Sequence, residues 1–334
     1  MKKVSIITPV YNVEDFVQDM MESVFNQTYH NIELILIDDK GNDKSIDIVN
    51  RVKNMAPSCV SIKIITHEYN KGVSAARNTG IENSTGEYLF FLDSDDMLSP
   101  TCIEELVYRI TKDNSEWVIC DYKSDTRISN RGGNLLVKKD ILCSKWNIIH
   151  AFADSEYNVA PWCKLIKKKF LIENKIFFKE GIINEDAPWT FLLTMRSNRV
   201  SVIKKQLYIY RFRENSIMNH VDNDEQNKAG AYTLSLISKE INCRDTNFDS
   251  IDLYKIWMRQ VILFYTRNSF FEFSKFNELC KNINIYKIRS RYVKTCRHIP
   301  IYYILWNIVF YLPKCMRGYY LKFIIEMRNY VENR

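Results

Sequence analysis

Tyr88-Leu89-Phe90-Phe91-Leu92-Asp93-Ser94-Asp95-Asp96 is an unbroken apolar run that ends in clustered acids. A short apolar run of this kind reads as a strand buried on both faces, which puts the acids at its exposed carboxyl end. There the carboxylates repel one another unless a cation joins them. Hard oxygen ligands suit Mg²⁺ or Mn²⁺, with a substrate's phosphates completing the shell. A solvated acidic turn fits the same residues, so the surroundings must decide.

Upstream, strand and helix alternate. Val4 to Thr8 is a β-rich run closed by Pro9, and Val13 to Asn26 has the period of an amphipathic helix. Ile32 to Ile37 is an apolar strand closed by Asp38-Asp39, with Asp43 a candidate cap for a helix reaching Asn54. Val60 to Thr66 reads as a strand, Val73 to Asn83 as a helix and Glu87 to Leu92 as the strand already quoted. The alternation predicts an α/β fold, a mostly parallel central sheet with helices on both faces. In such sheets ligands sit beyond the carboxyl ends of the strands. Pro9-Val10-Tyr11-Asn12, Asp38-Asp39 and Asp93-Ser94-Asp95 each follow a strand, so all three can line one crevice.

Past residue 120 the pattern loosens. Gly132-Gly133 suggests a hairpin tip, and Pro161 to Asn174 a helix with a basic face. Asn184-Glu185-Asp186 stands at the start of a helix to about Met195, and acids there suit the helix dipole as well as chemistry. Val200 to Ile203 and Leu207 to Phe212 read as two strands, and from about Asn227 the period is helical.

The chain has 334 residues, with 46% hydrophobic and 26% charged, as in ordinary globular proteins. Its nine cysteines are scattered without a Cys-x-x-Cys pair, which fits a reducing compartment and argues against structural zinc. Met1-Lys2-Lys3 runs straight into a strand, so no signal peptide is expected. The net charge of +7 is unevenly spread: from Lys281 onward there are eleven Lys/Arg and two acids, against 36 and 38 before it. A basic tail seeks an anionic partner. Ile299 to Leu312 is its most apolar stretch, about 21 Å long as a helix and too short to span a bilayer core. Flanked by cations and tyrosines, it fits a helix lying on anionic lipid, or one packed on the rest of the protein. No nucleic-acid reader motif accompanies the charge, and no nucleic-acid partner is expected.

Val4 to Asn12, Asn26-Gln27-Thr28-Tyr29, Glu33 to Asp39, Gly72-Val73-Ser74-Ala75-Ala76-Arg77-Asn78-Thr79-Gly80 and Leu92 to Asp96, in that order, resemble the family 2 glycosyltransferases over about residues 3 to 215. The resemblance implies a GT-A fold and inversion at the anomeric carbon. It implies a nucleotide-sugar donor, usually a UDP-sugar. Pro9 and Tyr11 would flank the base, Asp39 (or Asp38) would accept from its imide N–H, and Arg77 would lie along the nucleotide. Asp93 would touch ribose or metal, and Asp95 would hold Mn²⁺ or Mg²⁺ against the diphosphate. Glu185-Asp186 would supply the general base, from Asp186, and Arg211 or Arg213 would clamp the diphosphate. Asp96 is expected to be structural. The family's Asp-Asp-Gly-Ser-Thr-Asp reads Asp38-Asp39-Lys40-Gly41-Asn42-Asp43 here, so the turn is expected to differ.

Two regions are expected: 1–220 catalytic (1–98 for the donor, 99–220 for the acceptor) and 221–334 helical, basic and membrane-associating. The acceptor would be a hydroxyl of a lipid-linked glycan in surface-polysaccharide assembly, at the cytoplasmic face of the plasma membrane. The alternatives are an inactive nucleotide-sugar-binding scaffold subunit and a nucleotidyltransferase. The latter would want a Gly-rich basic phosphate loop near the N-terminus, which the sequence lacks.

Overall fold

A computed structural model describes residues 1–124, 135–212 and 223–242, with isolated positions between 252 and 323. The chain divides into two compact units, Met1–Val221 and Asp222–Arg334. The expected hairpin tip at Gly132-Gly133, Arg213 and the apolar stretch 299–312, apart from Leu312, lie outside the described residues.

The first unit follows the predicted alternation through β4: β1 (Val4–Val10), α1 (Val17–Phe25), β2 (Ile32–Asp38), α2 (Ser45–Val52), β3 (Val60–Thr66), α3 (Val73–Asn83) and β4 (Tyr88–Phe91). β5 (Met97–Leu98), α4 (Cys102–Asp113), β6 (Trp117–Ser124), β7 (Ile141–Leu142), α5 (Lys145–Ala153), β8 (Lys164–Lys167), α6 (Lys168–Glu173), α7 (Asp186–Arg196) and β9 (Val200–Tyr210) complete it. The described strands form one sheet of order β3-β2-β1-β4-β8-β6-β9-β5, with β7 on β9. β3, β2, β1, β4, β6 and β9 run one way, and β5, β7 and β8 the other.

β2 is buried along its whole length because strands flank it on both edges and helices cover the sheet. Each large aliphatic side chain buried there stabilises the fold by roughly 1.5–3 kcal/mol. α1 buries Val17, Met20, Met21 and Val24, the one-sided spacing of a surface helix. α3 rests on β1 and β2, and Gly80 lets it approach so closely that a Cβ there would lie 2.2 Å from Ile7 Cγ2. α4 ends at Asn114 in the left-handed conformation, a usual helix stop. Asp43 is not the cap residue of α2; Lys44 takes that place, and the Asp43 carboxylate accepts from the backbone N–H groups of Ser45 and Glu14.

Two expectations beyond residue 120 are corrected. Lys164–Lys167 is a strand, not part of a basic helix, and only Lys168–Glu173 is helical. β8 fills the gap between β4 and β6 as an antiparallel strand, and Leu165 and Ile166 are both fully buried. The two strands expected over 200–212 are one strand, β9. The exposed Lys204, Lys205 and Gln206 mimic a turn in the sequence, whereas the structure absorbs them in a register shift against β6 at Asp121.

Candidate active site

Because β1, β2 and β4 are parallel, their carboxyl ends share one edge of the sheet. The chain leaves β4 through Leu92 and turns over Asp93–Asp96, with Asp96 N–H donating to Asp93 O (3.1 Å). Within the turn Ser94 and Asp96 are buried, while Asp93 and Asp95 are partly exposed. The Asp96 carboxylate accepts from Tyr208 Oη–H (2.5 Å) and Arg211 N–H (2.8 Å), which pins the turn to the end of β9. Burial, and then Asp95 and Asp93, push its pKa well above the usual carboxylate range. Asp96 therefore faces the protein, and Asp93 and Asp95 are the carboxylates at the crevice.

Arg211 closes the turn from outside. Its guanidinium donates to Asp95 O (2.5 Å), Asp19 Oδ2 (2.8 Å) and Phe16 O (3.0 Å), and lies over the Phe16 ring. Those three bonds leave two of its five N–H groups for any other anion.

Arg77, on α3, joins the two acidic motifs. Its guanidinium donates to Asp93 Oδ1 (2.8 Å) and to Glu185 Oε1 (2.5 Å), stacks on Phe178 and is 5% exposed. Burial works against the charged guanidinium, but the two carboxylates outweigh it and hold its pKa above the ordinary arginine value. The next residue, Asn78, secures the same approach: its amide exchanges hydrogen bonds with the backbone of Phe178 (2.9 Å each) and reaches Glu180. One helix thus ties the strand-end acids to the segment that leads into α7.

Glu185 sits at the cap position of α7, yet no side chain caps that helix. The Glu185 carboxylate is held by Arg77, and Asp186 Oδ1 accepts from the Ala187 N–H (2.8 Å). Burial first, and the neighbouring Glu185 second, raise the pKa of Asp186. A carboxylate so raised is a stronger base than an exposed one, the property wanted of a proton acceptor. Lys164, fully buried on β8, is near enough that its charge opposes this rise, while burial lowers its own pKa to about 8.

Beyond β2, Asp39 is 3% exposed. Its carboxylate accepts from His67 Nδ1 (2.7 Å) and from the N–H groups of Lys71 (2.8 Å) and Gly72 (2.9 Å), the latter just before α3. Three donors leave about one of a carboxylate's four acceptor positions. Asp38 turns back onto the Lys40 N–H (2.9 Å). The altered turn has a clear cause. Lys40 itself takes the left-handed conformation, φ 58°. Gly41 lies where a Cβ would meet Asn12 Oδ1 at 2.7 Å. Pro9 lies within β1 opposite Ile37, one residue before the strand ends at Val10, and is half-buried, as is Tyr11.

Among the described residues no group of three or more His, Cys, Asp or Glu forms a metal cage. Asp93 and Asp95 still fit a hard cation, since Mg²⁺ and Mn²⁺ sites commonly use one or two carboxylates with phosphate oxygens and water. The structure also brings in residues that the sequence reading missed. His67, Glu180 and Tyr208 carried no local signal, whereas Asn78 stood beside Arg77 in a quoted motif.

The family model described as glycosyl transferase family 2 matches residues 5–171. An uncharacterized glycosyltransferase of Haemophilus influenzae is 38% identical over 249 residues, covering 66% of this chain and 98% of that protein. The putative glycosyltransferase EpsH of Bacillus subtilis is 31% identical over 223 residues, covering 64% of this chain and 62% of EpsH, so the match spans less than two thirds of that relative. Among solved structures, TarS 1–349 of S. aureus in complex with UDP superposes with a TM-score of 0.62 at 21% identity, over 79% of this chain and 72% of that one. That likeness carries the GT-A-type architecture.

Proposed function

The chain belongs to glycosyl transferase family 2, and we propose that it is an inverting glycosyltransferase that moves a sugar from a UDP-sugar to a hydroxyl of a lipid-linked glycan in surface-polysaccharide assembly. The observation that carries this reading is the Arg77 bridge, which joins Asp93 of the strand-end cluster to Glu185 beside Asp186. Inversion needs a base on the face opposite the leaving group, and in this reading Asp93 marks the leaving-group side and Asp186 the base side. The UDP in the TarS structure supports a uridine diphosphate leaving group.

In this reading Pro9 and Tyr11 flank the base, and Asp39 offers its remaining acceptor position to the imide N–H, with Asp38 as the lesser candidate. Asp95, with Asp93, would hold Mn²⁺ or Mg²⁺, which neutralises charge on the departing diphosphate. Asp186 accepts the proton of the attacking hydroxyl, and Arg77 keeps Glu185 from competing for it. Arg211 fixes the turn, and its spare N–H groups, or those of Arg213, would clamp the diphosphate. Residues 1–220 are the catalytic region. The basic region 221–334 holds the protein to the inner face of the plasma membrane; among the described residues no helix is long and apolar enough to cross it.

A donor panel tests the reading. Hydrolysis or transfer from at least one UDP-sugar, present with Mn²⁺ and abolished by EDTA, is expected. Turnover of no UDP-sugar, or turnover indifferent to the chelator, would contradict it.

A further inference from the structure

We infer that Tyr122, Trp162 and Tyr210 form the seat of the acceptor's sugar ring, a pyranose stacked on aromatic faces beside the strand-end acids. The inference rests on the transferase reading and adds to it an acceptor subsite.

The seat is assembled from three places in the chain. Parallel pairing of β6 with β9 sets Tyr122 beside Tyr208 and Ser124 beside Tyr210. Trp162, from the segment before β8, lies over them, with its ring 4.8 Å and 15° from Tyr208 and 5.9 Å and 27° from Tyr210. Tyr122 meets Trp162 edge-on at 5.0 Å and 81°. Rings gathered only to fill a core are buried, as Tyr208 and Phe90 are here. Tyr122, Trp162 and Tyr210 are each partly open to solvent.

The position suits an acceptor. On one side, Tyr208 Oη bonds Asp96 and lies 3.4 Å from the Asp93 N–H. On the other, the segment carrying Trp162 is tied down next to Asp186. Thr190 of α7 donates to Val159 O, and Lys164 Nζ donates to Asn158 O (3.1 Å), Asn158 Oδ1 (3.2 Å) and Ala160 O. The strand order also separates this seat from the base end. Asp39 follows β2, Asp93 follows β4, and Tyr122 and Tyr210 belong to β6 and β9 on the far side of β4. A nucleotide reaching from Asp39 to Asp93 therefore leaves the rings to a different ligand.

The chemistry selects the class. A pyranose has an apolar face of C–H bonds, which aromatic π-faces attract, and a rim of hydroxyls, which carboxylates accept.

The test uses the full chain loaded with UDP and Mn²⁺, titrated with octyl β-D-glucopyranoside and octyl N-acetyl-β-D-glucosaminide. The Trp162 indole N–H resonance, identified by its loss in Trp162→Phe, is expected to shift with at least one glycoside. Tyr210→Ala and Tyr122→Ala, at half-exposed positions that spare the Tyr208 contact, are expected to weaken that binding about fivefold, with UDP affinity changed by less than about twofold. No glycoside-dependent shift of Trp162, or glycoside affinity in both tyrosine variants equal to wild type, would overturn the seat. Glycoside binding at Trp162 by a protein that takes no UDP would keep the sugar seat and remove the donor reading beneath it.

Discussion

The turn Asp93–Asp96 and the pair Glu185–Asp186 are both acidic clusters at the end of a regular element, yet they are built in opposite ways. The turn follows a strand and keeps two carboxylates at the crevice, while the third, Asp96, is locked inward by Tyr208 and Arg211. The pair begins a helix and keeps one acid, Asp186, largely desolvated with a raised pKa, while Glu185 is locked by Arg77. In each cluster one acid is bound into the architecture beside its neighbours. The difference lies in the remaining acids: adjacent anions suited to a cation on one side, a single desolvated carboxyl group on the other.

The sharpest way to break this contrast is Asp186→Asn. Transfer is expected to fall about 10³-fold, with Mn²⁺-dependent UDP binding intact. A carboxyl whose folded pKa is raised contributes stability only at low pH, and that contribution is lost as pH rises through the folded value. At neutral pH the variant is therefore expected to keep or slightly raise the wild-type Tm. The same shift places the acid limb of the wild-type rate profile above the ordinary aspartate range, with rate falling as pH drops through it. A profile flat to the ordinary range would show that Asp186 is not the base.

Arg77→Met tests the bridge between the clusters. Removing one partner of a buried ion network costs about 3–5 kcal/mol, to be read as a lower urea midpoint with unchanged slope. A loss under about 1 kcal/mol, the scale of an exposed pair, would mean that Arg77 is not holding the clusters together.

The smallest expected effect is at the lock of the strand-end cluster. Tyr208→Phe leaves Asp96 without its hydroxyl donor, at about 1–3 kcal/mol. It is expected to weaken Mn²⁺-supported UDP binding without changing the acid limb that belongs to Asp186. An equal displacement of that limb would erase the division between the clusters.

The sequence alone determined the parallel half of the sheet, β1 through β4, because each strand and helix there is written in a local apolar period and closed by a polar turn. It also singled out Asp93, Asp95 and Asp186 as candidates, since they stand just past β4 and at the start of α7. Only the tertiary structure decided the rest. β8 became a strand because a gap between β4 and β6 needed filling, against the helical look of its lysines. That Arg77 joins Asp93 to Glu185 is visible only in the structure. The lock of Asp96 by Tyr208, the hold of His67 on Asp39 and the stack of Trp162 on Tyr208 and Tyr210 have no local signature. Each pairs residues far apart in the chain, and such pairs acquire their energy only when folding desolvates them together.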